Sequence, residues 1–508
     1  MFLRLLGIGS GATFRAPMSG RIPSIVGPLG GTVAANIAGL CLATLAGLCL
    51  VTVTGCSLNN PGNDPPAAEL NFPLATQMSP VPDPSTPPGF LYVANSDFDL
   101  RFNAGSVASY DLGVLAEEIE QARVAGELPT NSSEPPIVVS AERVLGSQVK
   151  IGSYTSAMVL SEAGDRLYLS VRSDANLTYI DVNGGALSCG NGDSSGFSWC
   201  ADSFRSGDEA TANPRRLEIP KNPTGLAVGR VSALGLADDG DYVVMSHAGG
   251  QASLFIDRSA PATGGGRPTA PLLVDVLDDL GGPIGQISTR IDESGIAWMP
   301  TTDARSDRAD NFLSRVGVAA DLNRPELSYL YNAGTARLEG ISTGEDTRDI
   351  AFATGEDGTN YAFILSRTPE ALILVDMDQS TPSRLFVRDL VSVGYGPSRL
   401  KKVYLPVGPA GVRRLFIFIT CFDSRDVFVV DPLSSQTFTI SRTISGPFEL
   451  EVDEARGYMY VTDFRASVIW VVDLAPLIEC LNGTRVGTSC EPFRIASIGT
   501  PQPVRDLL

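Results

Sequence analysis

Histidine is almost missing from this chain. His247 is the only one in 508 residues, so a metal centre built from several imidazoles is excluded. There is no P-loop, no HExxH helix, no GxGxxG run on a strand–helix unit and no GxSxG elbow between a strand and a helix. Acid is missing from the first 55 residues, which carry Arg4, Arg15 and Arg21 but no Asp or Glu. The rest of the chain then holds 35 basic groups against 57 acidic ones. So anionic a body repels a phosphate backbone, and no nucleic-acid partner is expected. Long helical periods and strand–helix alternation are also absent, which excludes coiled coils and doubly wound sheets.

What the N-terminus does have is an apolar run, Gly31 to Gly55, behind Arg15 and Arg21. Charge followed by apolar residues is the layout of an export signal. Its end, Val53-Thr54-Gly55-Cys56, resembles the bacterial lipobox. The resemblance implies cleavage before Cys56 and acylation of that residue, with Met1 or Met18 as the start. Ser57, rather than Asp, after the cysteine implies the outer membrane of a Gram-negative bacterium. The plain alternative is an uncleaved anchor, since about 20 apolar residues span a bilayer. Either reading places the body outside the cytoplasm. The expected segments are a signal peptide at 1–55, a flexible Pro- and Asn-rich linker at 56–69 and a folded body at 70–508.

That compartment gives the cysteines a meaning. Cys189/Cys200 and Cys480/Cys490 each bracket a short polar loop and are expected to be disulfides. Neither pair has a neighbouring histidine or second pair, so metal binding is the weaker reading. Cys421 lies in the apolar run LFIFITCF and reads as a buried free thiol.

The body repeats one unit. A Gly-containing turn is followed by an apolar strand, a polar gap and a second apolar strand ending near Asp, as in GYMYVTDFRASVIWVVDL from Gly457 to Leu474. Seven such hairpins can be marked, starting near residues 89, 162, 238, 293, 356, 410 and 457. Runs rich in Tyr, Val, Ile, Leu and Phe favour pleated sheet. An apolar segment precedes each hairpin and another follows, PIVVSAERVL being the follower in the first. The fold class is therefore all-β, a seven-bladed β-propeller of four-stranded antiparallel blades, because stacking such sheets around an axis covers both faces of each. Loop insertions are expected at 113–134, 186–208, 258–270, 303–311 and 478–491, the first of them helical. ATGGGRPTAP in the third reads as a flexible loop. The tail 503–508 is expected to close the ring as an inner strand of the first blade or beside LNFPLATQM.

Tyr460-Val461-Thr462-Asp463 and Tyr92-Val93-Ala94-Asn95 resemble the YVTN-type repeat of bacterial seven-bladed propellers, each departing by one residue. The family includes lactonase-like and surface-layer-type proteins. The resemblance implies a fold rather than a reaction.

Candidate sites are few. Ser246 and His247 are adjacent, and strand neighbours point to opposite faces, so the histidine reads as a polar loop residue. Asp97, Asp99 and Asn103 have the alternating oxygens that calcium favours, as do Asp303, Asp307 and Asp310. The plainer reading of both is a solvated acidic loop. Arg348 and Asp349 precede an inner strand and are candidates for the channel, with an internal salt bridge as the alternative. No catalytic residue and no cofactor is singled out, calcium being the one candidate ion. Two functions follow. One is a lipid-anchored binding or scaffold module at the cell envelope, whose partner is an envelope protein or glycan. The other is a lactonase-like or glycan-cleaving hydrolase working through channel-facing carboxylates.

Overall fold

The computed structural model describes residues 62–504, apart from 191–196, 208–211, 235–239, 259–266, 268, 281–283, 303–311, 321–328, 340–345, 382, 409–411, 441–443 and 486–488. Cys56, Asp303, Asp307 and Asp310 lie outside the described residues. The described chain is mostly strand, in small antiparallel sheets with a propeller-like arrangement.

The first sheet runs Pro73–Met78, Phe90–Asn95, Gly105–Asp111, Leu145–Ile151. The second runs Thr155–Leu160, Arg166–Val171, Asn176–Asn183, Arg205–Ser206, with Ala186–Ser188 added beside the third strand. The third runs Pro223–Arg230, Asp241–His247, Gln251–Asp257, Leu272–Leu277. The fourth has eight strands. One half is Arg290–Ile291, Ile296–Met299, Phe312–Ala320 and Tyr329–Glu339. The other is Thr347–Thr354, Asn360–Arg367, Glu370–Thr381 and Arg384–Ser392. The halves are joined where Tyr329–Glu339 pairs in parallel with Arg384–Ser392. The fifth runs Pro397–Leu405, Arg414–Cys421, Asp426–Asp431, Gln436–Ile440. The sixth runs Pro447–Asp453, Tyr458–Asp463, Val468–Asp473, Phe493–Ile498, and then Ile137–Val139. Pairing thus gives five small sheets and one of eight strands, not the seven separate four-stranded sheets expected from the repeats.

Apolar residues fill the spaces between sheets. Leu91, Val93 and Tyr110 of the first meet Tyr460, Ile469 and Val471 of the sixth. Phe416 and Phe418 of the fifth meet Leu450 and Val461 of the sixth. Even within the eight-stranded sheet, Trp298, Leu313 and Ala336 of one half pack against Ile350, Ala362 and Ile364 of the other. Pro73–Met78, Thr155–Leu160, Pro223–Arg230 and Arg290–Ile291 lie side by side in turn, as do Thr347–Thr354, Pro397–Leu405 and Pro447–Asp453, and Pro73–Met78 lies beside Pro447–Asp453. The ring therefore closes on its N-terminal strand.

The tail expected to close the ring is described only as far as residue 504. Residues 503 and 504 form no strand, and 505–508 lie outside the described residues. Ile137–Val139, from the expected outer segment of the first unit, crosses to pair in parallel with Phe493–Ile498. Leu145–Ile151 takes its place in the first sheet. The expected helical insertion is present as Leu112–Ala125, capped by Asp111 and stopped by left-handed Gly126. The expected linker is described from Gly62, and from there it is held. Ala68 N donates to Gln148 Oε1 at 2.8 Å, and Asp64 pairs with Lys150 at 2.8 Å. Both disulfides are formed, Cys189–Cys200 and Cys480–Cys490. Cys421 is free and buried, its thiol pushed up to about 12 by burial.

Candidate functional site: the inner edge of the ring

Six inner strands share a defect near their start. Register shifts fall between Pro73 and Ala75, Thr155 and Ala157, Pro223 and Gly225, Thr347 and Asp349, Pro397 and Arg399, and Pro447 and Leu450. A bulge frees a backbone N–H and re-aims the side chain that follows it. A hydroxyl on the second strand accepts from the freed group. Ala157 N donates to Ser170 Oγ at 3.0 Å, Gly225 N to Ser246 Oγ at 3.1 Å, Arg399 N to Thr420 Oγ1 at 3.2 Å and Glu449 N to Thr462 Oγ1 at 2.9 Å. This accounts for the Ser or Thr in LYLS, VVMS, FIT and YVT. Thr420 also donates to Phe448 O of the next sheet at 2.8 Å.

The side chains after the bulge divide the ring. In the first three sheets they are small: Ala75, Ala157 and Gly225. A Cβ on Gly225 would lie 2.5 Å from the backbone carbon of Ser288, so the inner strand beyond it can approach only a glycine. From Thr347 onward they are charged: Asp349, Arg399 and Glu449. Asp349 is fully buried. Its Oδ1 accepts from Ser288 Oγ at 2.5 Å and Ile350 N at 3.0 Å, and its Oδ2 from Arg290 Nη2 at 3.2 Å and Leu400 N at 3.3 Å. Arg399 Nε lies 3.6 Å from Glu449 Oε2, and Lys401 Nζ lies 2.6 Å from Glu451 Oε1. Burial pushes the Glu449 carboxyl up to about 7. Arg399 and Arg290 draw it down, and the Asp349 charge opposes them.

Arg348 is the bulged residue itself. Its Nη2 donates to Asp346 Oδ2 at 2.7 Å, and both residues are buried. Burial brings the guanidinium down to about 10, with the charges of Arg367 and Arg399 adding to the effect. Arg348 and Asp349 lie near the start of an inner strand, and each is in an internal ion pair, Arg348 with Asp346 and Asp349 with Arg290. Aromatic rings crowd the same end. Phe72 lies 4.9 Å from Phe464, Phe98 lies 5.7 Å from Tyr154 and 5.4 Å from Phe464, and Phe448 lies 6.0 Å from Phe464. The Arg399 guanidinium sits 5.2 Å over Phe448.

The three candidate calcium ligands each make hydrogen bonds within the protein. Asp97 is buried and accepts from Asn71 Nδ2 and Phe102 N, each at 3.2 Å, and from Ser153 Oγ at 3.1 Å. Burial raises it to about 6. Asp99 accepts from Arg101 N, and Asn103 donates to Asp64. Among the described residues no group of three or more His, Cys, Asp or Glu is placed to hold a metal ion. His247 is a strand residue, fully buried, with Nε2 2.9 Å from Ser253 Oγ, and burial lowers it to about 4.

Two features escaped the sequence reading. One is the alternation of Asp349, Arg399 and Glu449. Its trace is a charged residue two places after the first residue of the strand, at Thr347, Pro397 and Pro447. The other is a buried ionic cluster between the second and third sheets. Arg166 meets Asp181 at 2.7 Å and Asp257 at 2.8 Å, and Arg267 meets Asp241 at 2.7 Å and Asp165 at 2.9 Å. Arg267 belongs to ATGGGRPTAP, and it meets three carboxylates, those of Asp165, Asp241 and Asp257.

No family model and no curated protein matches the chain. Solved structures do. A Bacteroides uniformis protein provisionally named a 6-phosphogluconolactonase is 12% identical over 71% of this chain and 86% of its own, with a TM-score of 0.40. A similarly named Bacteroides fragilis protein is 14% identical over 72% and 83%, also at 0.40. Hydrazine synthase of Kuenenia stuttgartiensis is 12% identical over 85% and 87%, at 0.33. Likeness this low carries no argument about what this chain does.

Proposed function

We propose that the chain is a lipid-anchored, extracytoplasmic propeller that works as a binding or scaffold module at the cell envelope. Its ring has seven sectors, the eight-stranded sheet supplying two. The apolar layer between the halves of that sheet supports this count. The observation that carries the functional reading is the state of the inner edge. Asp349, Glu449 and Glu451 each already meet a cation from another inner strand, as suits a rigid surface for a partner. The two disulfides support an oxidising compartment. Cys56→Ala should move the protein from the membrane fraction to the soluble fraction and abolish incorporation of labelled palmitate. A membrane-bound, labelled C56A protein would overturn the anchor.

One observation favours the hydrolase reading. A carboxyl held near neutrality beside an ionisable neighbour and two arginines is the arrangement used for proton transfer. If Glu449 serves so, Glu449→Gln abolishes turnover in a lactone and glycoside screen while the protein still folds. An unchanged rate in E449Q excludes that role.

A further inference from the structure

A cavity lies where the fifth sheet meets the sixth. It has a volume of about 320 Å³ and is lined by Arg425, Ser445, Trp470, Arg494 and Gln502 among others. That size suits a small organic molecule. Asp463, its one carboxylate, is fully engaged. It accepts from Ser445 N at 2.8 Å, Ser445 Oγ at 2.7 Å, Ala466 N at 3.1 Å and Trp470 Nε1 at 3.0 Å. The cations are not so engaged. The Arg494 guanidinium lies 4.3 Å over the Trp470 ring, which leaves its N–H edge uncommitted. Burial lowers its affinity for a proton, and Asp463 feels its charge without a hydrogen bond between them. Arg425 stands in a hairpin turn at a φ of 66°. Among the described residues neither guanidinium makes a hydrogen bond or ion pair. Nearby Arg465 is likewise stacked, 4.6 Å over Phe422, with no acid partner.

This is unusual in a chain of net charge −19, where acids are available to pair with most cations. A guanidinium held over an indole face keeps a fork of N–H donors, the group that reads an oxyanion. We propose that this cavity binds a small organic oxyanion, a carboxylate or phosphate on a body about one sugar ring in size, with Arg494 on the head group and Arg425 at the rim. The site stands whether or not the envelope reading holds.

The test is titration calorimetry on the intact soluble body, with D-glucuronate, glucose 6-phosphate and neutral D-glucose, alongside Trp470 fluorescence. Glucuronate or glucose 6-phosphate should bind, weaken with added salt and change the fluorescence, while glucose should not. Preference between the two names the head group. Arg494→Gln and Arg425→Gln should each weaken binding by about tenfold or more, with Arg494→Lys falling between. Equal binding of glucose, or of the anions by R494Q, would overturn the site. So would binding seen only once residues 505–508 are removed, since the cavity would then serve the chain's own tail. Should R494Q fail to fold, the salt dependence and glucose control on the unaltered protein still decide.

Discussion

His247 shows how far burial outweighs residue identity. A lone histidine after a strand invites a catalytic reading, yet its ring is sealed and bonded to Ser253. Burial disfavours the charged ring and lowers it from 6.5 to about 4 in the folded protein. Unfolding releases that restraint. The stability owed to the neutral ring is therefore in full force above pH 6.5 and is lost as the pH falls toward 4. The loss amounts to about 3 kcal/mol. Denaturant melts between pH 7 and pH 4 should show this slope, and His247→Gln should flatten it. An equal slope in H247Q would assign the acid sensitivity elsewhere. The charged inner edge was half legible in the same residue-by-residue way. Arg348 and Asp349 could be named because both polar groups stand just before an apolar strand. Arg399 and Glu449 could not, because their meaning is a meeting across two inner strands that no local pattern records.

At the scale of the strand, the repeat is a rule about a bulge. The hydroxyl of the second strand exists to receive the N–H that the bulge frees, and where the rule lapses the chemistry changes. Opposite Asp349 stands Leu365, Ser366 Oγ finds no partner among the described residues, and Asp349 turns its own carboxylate to Ile350 N. Thr462→Val keeps the shape and removes the acceptor from Glu449 N. The expected cost is about 1–3 kcal/mol, the desolvation of one unpaired buried donor, with Thr462→Ser restoring most of it. A T462V melt equal to the parent would mean that water replaces the hydroxyl. The hairpins themselves were legible, since alternation and glycine turns are local signals. The fourth strand of the first sheet was not. PIVVSAERVL has the right composition, but Ile137–Val139 reaches a better edge on the sixth sheet than on its own.

The whole molecule depends on how the ring shuts. Three ties join the N-terminal part to the sixth sheet. Phe72 N donates to Ser467 Oγ at 3.1 Å and its ring packs on Phe464. Arg456 Nη1 donates to Pro88 O at 3.1 Å. Ile137–Val139 extends the last sheet, and Gly499 N donates to Val139 O at 2.9 Å. Of the tail, residues 503 and 504 form no strand and Val504 is half exposed. Sequence pointed to the tail 503–508 because VRDL matches TRDI, and most of that match lies outside the described residues. Phe72 is fully buried, so Phe72→Ala should cost about 3–5 kcal/mol and make the closure the first part to open. Hydrogen exchange should then quicken together in Pro73–Met78 and Pro447–Asp453, while the third sheet stays protected. Removing 503–508 should leave both the melt and this pattern unchanged. If the truncation instead matches F72A, the tail carries the closure after all, and the N-terminal strand is only its neighbour.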